Sequence, residues 1–119
     1  MLPEEIARFR SELAAYPEAI AAIDIIENCD GNLEDATAVL AIELGEDIDR
    51  DGGLLENLAK RCRPIVCQED FKDDLLPALV AGIMETLMIA TPVPPGLAAL
   101  VAIYITNKGV KNFCKDFKV

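Results

Sequence analysis

A chain of 119 residues, 52% hydrophobic but only 5% aromatic, with no Trp and no His, can bury its own core, and its Ala, Leu, Ile and Val favour helix. The net charge of −10 is lopsided: residues 1–59 hold three basic and fifteen acidic residues, and 60–119 hold eight and six, so the front half repels phosphate and excludes nucleic acid as a partner. With no His, no G-x-S-x-G and no phosphate-binding glycine loop, the expectation is a non-enzyme that carries no cofactor.

Pro3, Glu4 and Glu5 read as the first turn of a helix, with carboxylates on the positive end of its dipole. Ile6, Phe9, Leu13 and Tyr16 make its apolar stripe. Pro17 cannot continue that helix but suits the first position of a second, whose buried face is Ile20, Ile23, Ile26 and Ile25. Gly31 ends it in a left-handed turn, and Asn32 caps a third helix over Leu33 to Leu44 that buries Leu33, Ala36, Val39, Leu40 and Leu44. After Gly45 comes an acidic loop, then a fourth helix from Leu54 to Arg63 presenting Leu54, Leu55, Leu58 and Cys62, which Pro64 stops.

Asp70 starts a fifth element, and from Leu75 to Ile105 Glu85 is the sole charged residue. An isolated carboxylate there needs a partner, and a lysine of the last helix is expected to supply it. Thr91-Pro92-Val93-Pro94-Pro95-Gly96 breaks the chain before a final helix from Leu97 to Phe117, with Lys108, Lys111, Lys115 and Lys118 three or four apart at its end. Each apolar segment falls short of the roughly 20 residues a membrane span requires. The hairpin is therefore expected to pack as core or as a homodimer interface, with bilayer association as the alternative.

Asp47-x-Asp49-x-Asp51-Gly52 copies the opening of a calcium loop. The twelfth position, however, is Leu58 rather than a bidentate carboxylate, so a solvated acidic turn is expected, with Asp47, Asp49 and Asp51 as the calcium candidates. The opening MLPEEIARFR lacks the basic flank of a secretory leader. That predicts a cytoplasmic protein whose four cysteines, Cys29, Cys62, Cys67 and Cys114, stay reduced in the core. Cys62-x4-Cys67 is looser than paired zinc motifs, and no His accompanies it.

Ala22-x3-Ile26-x4-Gly31-Asn32-Leu33-Glu34-x-Ala36-x3-Leu40 resembles the second and third helices of ubiquitin-associated (UBA-like) domains. In that family an apolar helix ends in a Gly-Asn turn, and an E-x-A-x3-L helix packs back across it. Leu13-Ala14-Ala15-Tyr16 stands where the family has its Met-Gly-Phe loop. Met and Gly are both Ala here, and one extra residue separates Tyr16 from the helix, so what carries over is the fold and an adaptor role rather than ubiquitin binding. The resemblance implies an interaction surface at Ala14, Ala15, Tyr16, Leu40 and Leu44. The sequence thus predicts an all-α compact bundle of five or six helices: an acidic UBA-like unit over 1–63 and an apolar hairpin over 64–119 packed on it. The expected function is a non-enzymatic protein-interaction or adaptor module.

Overall fold

The computed structural model describes residues 1–45, 53–68 and 79–115. Among them are seven helices and no strand: α1 (Pro3–Glu12), α2 (Pro17–Asn28), α3 (Leu33–Glu43), α4 (Leu54–Gln68), α5 (Leu79–Ala90), α6 (Pro95–Lys108) and α7 (Val110–Cys114). The all-α class is as expected; the count exceeds the expected five or six because the last helix is split. The chain leaves α6 at Gly109 with φ of 94° and restarts in the five-residue α7.

The local signals act where the sequence places them. Pro3 and Pro17 open α1 and α2, where their missing N–H costs nothing. Gly31 ends α2 at φ +84, and a Cβ there would lie 2.3 Å from the Met1 carbonyl oxygen, so both the turn and the close approach require glycine. The Asn32 side chain then accepts from the Asp35 amide at 3.0 Å and caps α3.

The core is built around α6. Gly96 through Ile103 and Ile105 are all buried, so this helix is apolar on every side, as one enclosed by other elements must be. It packs against α2, α3, α4, α5 and α7. A single apolar cluster runs from Ile6 and Phe9 in α1 to Phe113 in α7, and residues 63 and 64 fall inside α4. No helix among the described residues is long and apolar enough to cross a membrane.

Four expectations are corrected. Pro64 does not stop α4, which continues to Gln68. Pro64 is exposed, while Cys62 and Val66 carry the buried face past it; packing of that face outweighs the hydrogen bond that proline deletes. The inner face of α3 is Ala36, Thr37, Leu40 and Ala41, whereas Val39 and Leu44 stay 39% and 46% exposed. Almost all of α3 is apolar, so periodicity alone did not fix which side turns inward. Glu85 is exposed and accepts a hydrogen bond from the Tyr16 hydroxyl, not from a lysine. Lastly, Cys67 and Cys114 form a disulfide with Cα atoms 5.6 Å apart, leaving Cys29 and Cys62 free. The tertiary approach of α7 to the end of α4 brings the pair together, and no spacing rule reveals that.

Candidate functional site

α3 faces in three directions. Inward, Leu40 is only 8% exposed, and its Cδ2 would lie 3.0 Å from a Cβ placed on Gly96, so this residue of the expected interaction surface belongs to the core. Toward α4, the Glu34 carboxylate accepts from the Leu55 amide at 3.2 Å and the Glu56 amide at 3.1 Å. A side chain of one helix thereby caps the open N-terminus of another. Outward, Val39 and Ile42 are 39% and 63% exposed, flanked by exposed Asp35 and Glu43, and Leu44, 46% exposed, follows at the C-cap. No Lys or Arg occurs between Ser11 and Asp49.

The other predicted surface residues lie in the turn between α1 and α2. Ala14 and Ala15 are exposed, and Tyr16 is half-buried with its hydroxyl on Glu85 of α5. That hydrogen bond to a carboxylate, with some desolvation and the repulsion of a second negative charge, raises the Tyr16 pKa above the ordinary phenol value. Arg10 ties α1 to α2 through Asp24 at 2.8 Å and Glu27 at 2.6 Å. The calcium candidates Asp47, Asp49 and Asp51 lie outside the described residues. Among the described residues, no group of three or more Cys, Asp or Glu could hold a metal ion.

Sequence reasoning missed a cleft of about 170 Å³ between α3, α4 and the segment joining α5 to α6. Thr37 and Ala41 form one wall, Leu54, Leu58 and Arg61 a second, and Pro92, Val93, Pro94 and Leu97 the third. Pro92-Val93-Pro94 was legible only as part of a breaker; that it also forms an apolar wall required the fold. Near the other end of α4, the Arg63 guanidinium stacks 5.0 Å from the centre of the Phe113 ring. Cys62 is buried, which raises its thiol pKa, and nearby Arg61 opposes that only in part.

No family model matches the chain, and neither a curated protein nor a solved structure does.

Proposed function

We propose that the protein is a non-enzymatic interaction module, an adaptor that docks a protein partner on the outward face of α3. One observation carries this reading: Val39 and Ile42 remain exposed on a helix whose opposite side is committed to the core, with exposed Leu44 at its C-cap. Leaving such side chains in water costs the stability that burial would return, about 1.5 to 3 kcal/mol for each one fully buried. The face carries exposed Asp35 and Glu43, and no Lys or Arg occurs between Ser11 and Asp49, which favours a basic partner with an apolar stripe of its own. A second copy of the chain fits less well, because a two-fold contact on this face would set like carboxylates against each other. The Gly31–Asn32 turn and the Asn32 cap support the UBA-like reading of α2 and α3.

The test compares capture of partners by the wild type, by a Val39→Ser/Ile42→Ser variant and by an Asp35→Asn/Glu43→Gln variant. A partner held by the wild type is expected to bind the serine variant at least about tenfold more weakly, as truncation of central apolar contacts does. The neutralised variant should lose mainly association rate and salt dependence. Equal capture by all three proteins would rule the face out.

A further inference from the structure

The cleft between α3, α4 and the α5–α6 segment uses different residues from the docking face, and its chemistry is different. Its walls are apolar at Ala41, Leu54, Leu58 and Leu97. A volume of about 170 Å³ suits one small ring or short branched chain, since a dry cavity of roughly 150 Å³ holds benzene.

Its polar side chains are those of Thr37 and Arg61. Thr37, fully buried, donates its hydroxyl to the Leu33 carbonyl at 2.7 Å. The Val93 amide donates to Thr91 Oγ1 at 3.2 Å. Pro92 and Pro94 have no N–H to offer. That leaves the guanidinium of Arg61, which is exposed at the cleft. Arg8, Arg10 and Lys60 all hold carboxylates, whereas Arg61 has no carboxylate within salt-bridge distance among the described residues. An apolar pocket of side-chain size, whose one uncommitted polar side chain among the described residues is a planar five-donor cation, is complementary to an apolar molecule ending in a carboxylate.

We propose that this cleft binds a small free carboxylic acid. Its ring or branched chain sits among Ala41, Leu58 and Leu97, and its carboxylate lies on Arg61. In a chain of net charge −10 the long-range field disfavours anions, so selection comes from contact with Arg61. The space holds a single apolar group, which favours a free acid over a stretch of peptide.

The experiment is an amide chemical-shift titration of the isotope-labelled full chain with three probes of one shape: phenylacetate, 2-phenylethanol and phenethylamine. Phenylacetate is expected to shift the amides of Thr37, Ala41 and Leu58 with a dissociation constant on the order of 1 mM, the range open to a ligand of this size. The alcohol should bind about tenfold more weakly, and the amine should not bind. Arg61→Gln, at an exposed position where folding is not at stake, should weaken phenylacetate binding about tenfold and leave the alcohol unaffected. Absence of any response, equal response to all three probes, or binding unchanged by Arg61→Gln would overturn the proposal. So would tighter binding of a peptide ending in phenylalanine, which would reassign the cleft to peptide C-termini.

Discussion

Tyr16 and Glu85 lie 69 positions apart in the chain and share a hydrogen bond that fastens the α1–α2 turn to α5. Because Tyr16 donates to a carboxylate, the folded protein holds the phenol proton more tightly than the unfolded chain does. The stability this adds is complete below the unfolded tyrosine value of about 10 and is lost as pH rises through the higher folded value. Glu85→Gln should return the Tyr16 titration toward its ordinary position. The phenolate absorbance of a Tyr104→Phe background reports Tyr16 alone, and an unshifted curve would remove Glu85 as the cause. The need was legible in the sequence, since a carboxylate alone in an uncharged stretch must find a partner or water. The partner was not legible, because nothing in local spacing connects the first turn of the chain with its fifth helix.

Helix ends show the same division between what is local and what is not. The Asn32 cap acts on an amide three residues away and could be read directly from Gly31-Asn32 ahead of Leu33. Glu34 acts on amides 21 and 22 residues away, and by sequence it was merely an acid in the first turn of α3. Asn32→Ala should cost about 1 kcal/mol, the usual worth of an N-cap. Glu34→Ala should cost a similar amount, about 1 kcal/mol, because two amides lose their acceptor. Chemical denaturation measures both. Amide hydrogen exchange separates them: the first turn of α4 should lose protection in the Glu34 variant and keep it in the Asn32 variant. If the two variants deprotect the same amides, Glu34 is not the cap of α4. Pro64 and Val39 misled for one further reason. Proline rules and apolar periodicity describe an isolated helix, whereas the register of α4 and the inward side of α3 are set by the neighbours that surround them.

At the scale of the molecule, the Cys67–Cys114 disulfide closes a loop of 47 residues of separation around α5 and α6. On the chain-entropy account a cross-link of this span contributes about 4 kcal/mol. Denaturation with and without a dithiol reductant, or of a Cys67→Ser/Cys114→Ser variant, should show that loss; unchanged stability would mean that α7 and α4 hold together without it. Composition and the apolar run foretold the helical class and a buried hairpin. They could not foretell that α6 would become the axle of the whole body, because which helices enclose it depends on the path of the chain. That placement has a consequence for synthesis. Ile23, Ile26, Ala36 and Leu40 leave the ribosome long before Leu97, Leu100 and Ile103, so the first three helices emerge without the surface that completes their core. The acidic front of the chain must wait, solvated by its own charge, until α6 emerges and the bundle closes around it.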